Sequence, residues 1–136
     1  MVFDTKIAVV VRDDLPVWQK LNVTAFTVSG IAGTVGGVVG EPYRDASGVL
    51  YLPMFVQPVR VFSADAEKLR LVFERARRRE VVLSVFTEEL FGTTHDAENR
   101  AVVAAVPSEQ LRLSGLAFRA ENKTVDKVLK GVPLHP

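Results

Sequence analysis

The sequence predicts one α/β layered domain over residues 1–136. β-rich apolar runs alternate with helical segments along the chain, and no linker or internal repeat divides it. A length of 136 residues suits a single hydrophobic core. The hydrophobic fraction of 48% and the charged fraction of 24% are those of a folded globular protein, which excludes a disordered or low-complexity chain.

The chain opens with a predicted buried strand and a long helix. Residues 6–11 form a short apolar run rich in β-branched side chains, which is typical of a central strand. Pro16 suits the first turn of a helix capped by Asp14 or Leu15, and this helix is predicted over residues 16–30. Its apolar side chains form two stripes, so we expect partners on more than one side, within the chain or in a second subunit. The stripes contain Trp18, Leu21, Ala25 and Val28, and Val23 and Phe26.

A turn, two short strands and a second helix follow. We predict the turn at residues 43–48 and the strands at residues 49–52 and 59–62. Ser63 is predicted to cap the helix, which has one buried face and ends in four arginines near its negative pole. The buried face consists of Leu69, Val72, Phe73 and Ala76, and the arginines are Arg75, Arg77, Arg78 and Arg79.

The last third of the chain alternates again between strands and helices. Residues 81–86 are a predicted strand, which a right-handed parallel crossover would join to residues 59–62. Residues 101–106 continue a helix that starts near Thr94 or form a strand, and their alanines favour the helix. The remaining predicted elements are a strand at residues 111–118 and a short helix at residues 122–130.

Residues 21–40 carry no charged side chain and hold five of the nine glycines. Twenty residues are about the length of a membrane span, but half of this run is Gly, Ser, Thr or Asn, which is poor for lipid. The chain does not open with the basic and apolar segments of a signal peptide. The glycines follow a predicted helix and not a strand, so they do not fit a nucleotide-binding loop. We therefore expect a buried helix that ends in a glycine-rich turn, and no membrane protein.

Charge and cysteine content limit the partners. Seventeen Lys and Arg against sixteen Asp and Glu give a net charge of +1, so no strong field attracts nucleic acid, and we expect none as a partner. The absence of cysteine excludes disulfides, thiolate catalysis and cysteine zinc sites, and it fits a reducing cytoplasm. We also expect no metal and no cofactor, because the second histidine, His135, lies almost at the chain end and no ligand spacing indicates zinc.

The strongest polar cluster lies in residues 93–100, just past a predicted parallel strand. Ligands in open α/β sheets bind beyond the carboxyl ends of strands. His95 is a candidate general acid or base, and Arg100 is a candidate contact for an anion. The same segment fits a plain helix start equally well, with Thr94 or Asp96 capping free amides.

We expect a small, anionic ligand in a cleft at these strand ends. The predicted ligand-binding residues are Asn22, Thr94, His95, Asp96, Asn99 and Arg100. The catalytic candidates are His95, Asp13 at the end of the first strand, and Lys20 in the first helix.

Short motifs spread over roughly residues 5–135 form a familiar set. They are Leu21, Asn22, Ala25 and Phe26; Tyr43, Arg44, Asp45, Ala46, Ser47 and Gly48; Thr87, Glu88, Glu89, Leu90 and Phe91; His95, Asp96, Asn99 and Arg100; and Asp126, Lys127, Lys130 and Gly131. These motifs resemble an uncharacterised bacterial family, domain of unknown function 2000. The opening Val9, Val10, Val11, Arg12, Asp13, Asp14 and Leu15, followed by a helix, resembles type II peptidyl-tRNA hydrolases. The resemblance implies a three-layer α/β/α sandwich with a mixed sheet of about four strands, and a dimer.

The resemblance does not carry catalysis over. Type II hydrolases have a Gln and a His in the first helix, whereas here Lys20 is followed by Asn22, Thr24 and Thr27. We therefore expect a non-hydrolytic small-ligand-binding or regulatory domain of unknown function in the cytoplasm. One alternative is a hydrolase of peptidyl-tRNA or a related ester with a rearranged site and His95 as its base. The other is a homodimeric interaction protein that associates through the first helix and the glycine segment.

Overall fold

Six β-strands and four α-helices are formed by residues 3–136, which this computed structural model describes. Met1 and Val2 of the predicted domain lie outside the described residues. In chain order the elements are β1 (Thr5–Arg12), α1 (Val17–Thr34), β2 (Tyr43–Arg44), β3 (Leu50–Tyr51), β4 (Val59–Ala64), α2 (Ala66–Arg78), β5 (Ser84–Thr87), α3 (Asp96–Ala104), β6 (Leu113–Glu121) and α4 (Asn122–Val128). Residues 101–104 are thus helical, as their alanines predicted.

The main sheet contains four strands in the order β4-β1-β6-β5. β1 pairs parallel with β4 and antiparallel with β6, and β6 pairs antiparallel with β5, so the predicted mixed sheet is confirmed. β4 and β5 run parallel, as predicted, but they lie at opposite edges of the sheet. β1 and β6 occupy the centre because they are the longest strands and their side chains are buried on both faces.

Side chains of β1 enter two separate cores, because successive residues of a strand point to opposite faces. Ala8 and Val10 pack with the buried faces of α2 and α4. Ile7, Val9 and Val11 pack with α1. Helices therefore cover both faces of the sheet, and the protein is a three-layer α/β/α sandwich.

α2 has the predicted buried face but not the predicted cap. Its inward side chains, Leu69, Val72, Phe73 and Ala76, are all buried. Asp65 caps the helix, because its carboxylate accepts a hydrogen bond from the Lys68 amide at 2.7 Å. The prediction that Ser63 caps it is wrong, since the pairing of β4 with β1 continues through Ser63 to Ala64.

α1 extends four residues beyond the predicted end and packs on the sheet through one side only. Val23, Thr27 and Ile31 are its buried residues. Trp18 and Leu21 are 60% and 66% exposed, so the predicted burial of α1 on two sides is wrong within the chain. Among residues 3–136, none of the helices combines the length and the hydropathy that a membrane crossing requires.

Two glycines allow α1 to lie close to the sheet. A Cβ atom on Gly115 of β6 would collide with the side chain of Val23 and lie 2.8 Å from the carbonyl oxygen of Val10. A Cβ atom on Gly30 of α1 would lie 2.5 Å from the hydroxyl oxygen of Ser84 in β5. Because these two residues have no side chain, α1 can pack at this short distance from the sheet.

Residues 38–56 form a β-hairpin, here called the arm. Val39 and Phe55 pair at its base, and β2 pairs with β3 near its tip. The predicted turn at residues 43–48 therefore begins with a short strand. At the tip, the Asp45 carboxylate accepts hydrogen bonds from the amides of Ser47 and Val49 and, at 2.8 Å, from the Tyr51 hydroxyl.

The close approach of α1 is tested by adding one methyl group. Gly115→Ala is expected to destabilise the protein by about 2–3 kcal/mol, because Val23 and the β1 backbone leave no room. The matched control is Gly33→Ala in α1, where no atom lies within 4 Å and alanine should stabilise the helix by up to about 1 kcal/mol. Urea unfolding measures both values. Equal stability of the two variants would contradict the packing described here.

The hydrogen bonds of the arm are tested through Asp45. The Tyr51 hydroxyl, followed by the backbone amides, lowers the pKa of Asp45 below its ordinary value. Asp45 therefore stabilises the arm above its unfolded-state pKa, and this stabilisation is lost as the pH falls through the folded-state pKa. Tyr51→Phe should raise the pKa of Asp45, measured by NMR titration of its carboxyl carbon. Tyr43→Phe is the control, and an unchanged pKa in Tyr51→Phe would refute the assignment.

Candidate functional site

A cavity of about 1060 Å³ opens between α1 and α3. Residues of β5 and of the short 3₁₀ helix Glu88–Gly92 complete its lining. Its volume is slightly above the range of roughly 300–1,000 Å³ that is typical of small-molecule pockets. The site lies past the carboxyl end of β5, where the sequence predicted a cleft.

Four aromatic rings form one side of the cavity, here called the aromatic wall. Trp18 meets Phe91 edge-on with ring centroids 5.8 Å apart, and Phe91 lies 4.7 Å from Phe86. Phe26 continues the row with an edge contact to Phe86 at 6.1 Å. Phe86 is buried, whereas Trp18 and Phe26 expose more than half of their surface at the mouth of the cavity. Such a row presents ring faces and edges to an apolar ligand.

Amide side chains face the cavity from both helices. Asn22 of α1 is half-buried and its side chain makes no hydrogen bond within residues 3–136. Asn99 of α3 also lines the cavity, and its side-chain amide is hydrogen-bonded to the Thr93 hydroxyl, which in turn contacts the Leu90 carbonyl oxygen. Because Asn22 is only half-buried, water reaches its amide, and a polar group of a ligand can take the place of that water. These two amides can therefore orient a ligand.

His95 lines the cavity, but its main contact is with its own helix. Its Nδ1 accepts a hydrogen bond from the Glu98 amide at 3.2 Å, so the capping residue of α3 is His95. The prediction of Thr94 or Asp96 as the cap is therefore wrong. The other ring nitrogen, Nε2, lies 3.6 Å from the Glu98 carboxylate. A cap acceptor at Nδ1 places the proton of a neutral ring on Nε2. In this geometry His95 has no free lone pair with which to act as a base.

The charged side chains of the lining are paired. Arg100 forms an ion pair with Asp96 one turn earlier in α3, and both side chains are exposed. The guanidinium that was expected to contact an anion thus already has a carboxylate partner. Within the described residues, no group of three acidic or histidine side chains is arranged to hold a metal ion.

Asp13 and Lys20 lie outside the cavity. The Asp13 side chain is exposed, and its backbone amide bonds to the Ala64 carbonyl oxygen. Lys20 Nζ lies 3.2 Å from His135 Nε2. Lys20 and Asn22 cannot share a site because residues two apart in a helix point to different sides. The structure thus brings together six of the predicted residues: Asn22, Thr94, His95, Asp96, Asn99 and Arg100.

A charge network that the sequence analysis missed holds the 3₁₀ helix. Arg12, at the end of β1, donates hydrogen bonds to Asp14 at 2.6 Å and to Glu88 at 2.7 Å. Burial lowers the pKa of Arg12, but the hydrogen bonds to these two carboxylates outweigh it and raise that pKa above its ordinary value. Arg112 pairs with Glu89, whose pKa is lowered by its own backbone amide and by this arginine. The network fixes the segment that carries Leu90 and Phe91.

The network also corrects the predicted start of α1. Asp14 pairs with Arg12 and does not cap the helix, whose first turn has no side-chain cap. The sequence contained a signal for this network, because side chains of opposite charge follow two strands whose carboxyl ends lie at the same end of the sheet.

The capping role of His95 is tested by two substitutions. His95→Ala should lower the free energy of unfolding by about 1 kcal/mol, because it leaves the Glu98 amide without a partner. His95→Asn should restore most of this loss, since asparagine is among the best caps. Urea unfolding measures both. If His95→Ala and His95→Asn were equally destabilised, the lost interaction would not be the cap.

Comparison with known proteins identifies the family. Residues 5–136 match the family described as "Protein of unknown function (DUF2000)". A solved structure of a protein of unknown function from Agrobacterium tumefaciens strain C58 is similar over 99% of this chain and 100% of that one, with a TM-score of 0.96 and 49% sequence identity. No curated protein matches the chain significantly. The likeness to type II peptidyl-tRNA hydrolases stays a prediction. The chain belongs to the DUF2000 family.

Proposed function

We propose that this protein is a small-molecule-binding domain, and that its ligand lies in the cavity between α1 and α3. The observation that carries the proposal is the combination of an aromatic wall with the unpartnered amide of Asn22 in one large cavity. Ligand sites commonly join an apolar lining with a few polar groups that fix orientation. Both features are present here.

The lining favours a neutral ligand with an aromatic ring and an amide-like polar edge. The ring would pack on Phe91 and Trp18, and its polar edge would reach the amide groups of Asn22 and Asn99. Asp96 and Arg100 neutralise each other, so the cavity presents no unpaired positive charge to an anion. The anionic ligand expected from the sequence stays a prediction. Titration with one neutral and one anionic compound distinguishes the two classes of ligand.

The hydrolase alternative has less support. A general base needs a free lone pair within reach of the substrate. Nδ1 of His95 accepts the hydrogen bond of the helix cap, so it is not available to take up a proton while the cap is formed. The residues that line the cavity therefore support binding of a ligand without its hydrolysis.

We place the protein in the cytoplasm of a bacterium. The absence of cysteine fits a reducing compartment, and the solved relative comes from the bacterium Agrobacterium tumefaciens. A regulatory role, in which the bound molecule changes the association of the protein with a partner, is compatible with this location.

Trp18 provides a direct measurement of binding, because it is the single tryptophan of the chain and lines the cavity. Its indole N–H gives one NMR signal. Titration with 2-naphthamide should shift that signal, and 2-naphthoate, which has nearly the same shape but a negative charge, should bind more weakly. Tighter binding of the naphthoate would instead support the anionic ligand. Absence of any shift with both compounds would overturn the proposed site.

A pair of variants tests the amide contact. Asn22→Leu should weaken binding of 2-naphthamide by about fivefold, because one hydrogen bond contributes about 1 kcal/mol net. Gln19→Leu makes the same change in the same helix at a residue that does not line the cavity, and should leave the affinity unchanged. Equal losses in both variants would show that the effect does not arise from the cavity.

A further inference from the structure

The outer edge of β5 faces the cavity between α1 and α3. The strand order places β5 at one edge of the sheet, so β6 pairs with one side of it only. Ser84 and Phe86 point to the α1 side, since Ser84 lies against Gly30 and Phe86 packs in the core beneath α1. Val85 points to the opposite face and packs against the core beneath α2. All three residues of β5 line the same cavity, which therefore lies beside the edge of the strand.

Backbone groups of this edge are free to pair. In a strand of an antiparallel pair, alternate residues direct their amide and carbonyl groups away from the neighbouring strand. Within residues 3–136, no backbone group outside β6 forms a hydrogen bond with the backbone of residues 84–86. Residues 81–86 also contain no charged side chain and no proline, which are common means of keeping another strand from an edge. This edge is therefore open to an added strand.

The opposite edge of the sheet is covered by the chain itself. The Pro133 carbonyl oxygen accepts a hydrogen bond from the Ser63 amide at 3.1 Å. The His135 amide donates to the Val61 carbonyl oxygen at 2.9 Å. An extended segment of this chain, residues 133–135, thus lies along β4. The backbone of an extended segment is therefore the group that complements an edge of this sheet.

α1 and α3 provide two walls beside this edge. On α1 the lining residues extend from Trp18 to Gly30, a stripe about 18 Å long at about 1.5 Å per residue. On α3 they extend from Asp96 to Ala104, which is about 12 Å at the same rise. An extended chain advances about 3.3 Å per residue, so these lengths match a segment of about four to five residues.

We propose that the ligand of this cavity is an extended peptide segment of another protein, which adds to the sheet as a strand beside β5. The inference rests on the proposed function, because it uses the same cavity. It identifies the aromatic ring of the ligand as a side chain within a polypeptide. Backbone hydrogen bonds to residues 84–86 hold the segment, as in other proteins that bind peptides at the edge of a sheet.

The two walls determine which side chains the segment carries, because successive side chains of a strand point to opposite faces. On the α1 side, the residue beside Phe86 meets the aromatic wall, which favours an aromatic side chain. The Asn22 amide on this side bonds with a peptide group of the segment. On the other side, the next residue meets Asn99 and Val103 of α3, which favour a small or β-branched side chain without charge.

A single peptide segment fits this edge better than the edge of a second copy. The helices α1 and α3 flank the edge on both sides. A peptide needs only the width of one strand, whereas a second copy would have to place its own α1 and α3 in the same space.

NMR spectroscopy of the full chain tests the inference with acetyl-Thr-Val-Phe-Val-Thr-amide, a neutral peptide with one aromatic side chain at its centre. The peptide should shift the Trp18 indole signal. At about ten times its Kd it should also slow hydrogen exchange of at least one backbone amide in residues 84–86 by about tenfold. The amides of β4, at the covered edge, are the control and should exchange at an unchanged rate. 2-Naphthamide should shift the Trp18 signal without slowing exchange in residues 84–86.

Two isomers of the peptide test whether its backbone pairs with the edge. One carries N-methyl groups on the second and fourth residues, and the other carries them on the third and fifth. Alternate amides of a strand point to opposite sides, so only one isomer loses the donors that face β5. That isomer should bind at least about tenfold more weakly than the other, which corresponds to the loss of two hydrogen bonds. Equal affinities of the two isomers would overturn the inference.

Failure of this inference can be distinguished from failure of the proposed function. If 2-naphthamide shifts the Trp18 signal and the peptide does not, the cavity binds small molecules and the peptide inference is wrong. If neither compound shifts the signal, both are wrong. Slow exchange of residues 84–86 without peptide, in a protein that sediments as a dimer, would mean that a second copy covers the edge, and it would also overturn the inference.

Discussion

The close contact of α1 with the sheet determines which side chains of this helix line the cavity and which lie on the surface. Because Gly115 has no side chain, Val23 reaches the backbone of β6, and Gly30 leaves room for the Ser84 hydroxyl. With the helix held at this distance, its two other sides are fixed as well. One side carries Trp18, Asn22 and Phe26 toward the cavity, and Val17 and Leu21 remain exposed on the surface.

The two walls of the cavity are stabilised by different physical means. Close packing of α1 on the sheet holds one wall. Moving this wall is costly, because the packed interior contains almost no free volume. Hydrogen bonds and ion pairs at the ends of strands and helices hold the other wall. Arg12 binds Glu88 at the start of the 3₁₀ helix, and His95 caps α3. The second wall is therefore the one that ligands or solution conditions can move most easily, since partly exposed polar contacts contribute little each.

Some of this architecture is predictable from the sequence, and the reasons are physical. The buried face of α2 and the central strand β1 follow from the spacing of apolar residues, which burial enforces. The six clustered site residues could be grouped because the ends of strands converge. Other features could not be predicted, because residue spacing does not encode them. The positions of β4 and β5 at opposite edges and the exposure of Trp18 depend on contacts between distant segments. The histidine cap depends on an uncommon residue type at the start of a helix.

We propose that the position of α1 creates a binding cavity for a neutral aromatic molecule. A crystal structure of the protein grown with 2-naphthamide tests it most directly. We expect the naphthalene ring to pack against the aromatic wall and its carboxamide to bond with the side chain of Asn22. An empty cavity at saturating ligand, or a ligand bound only elsewhere on the protein, would contradict this proposal.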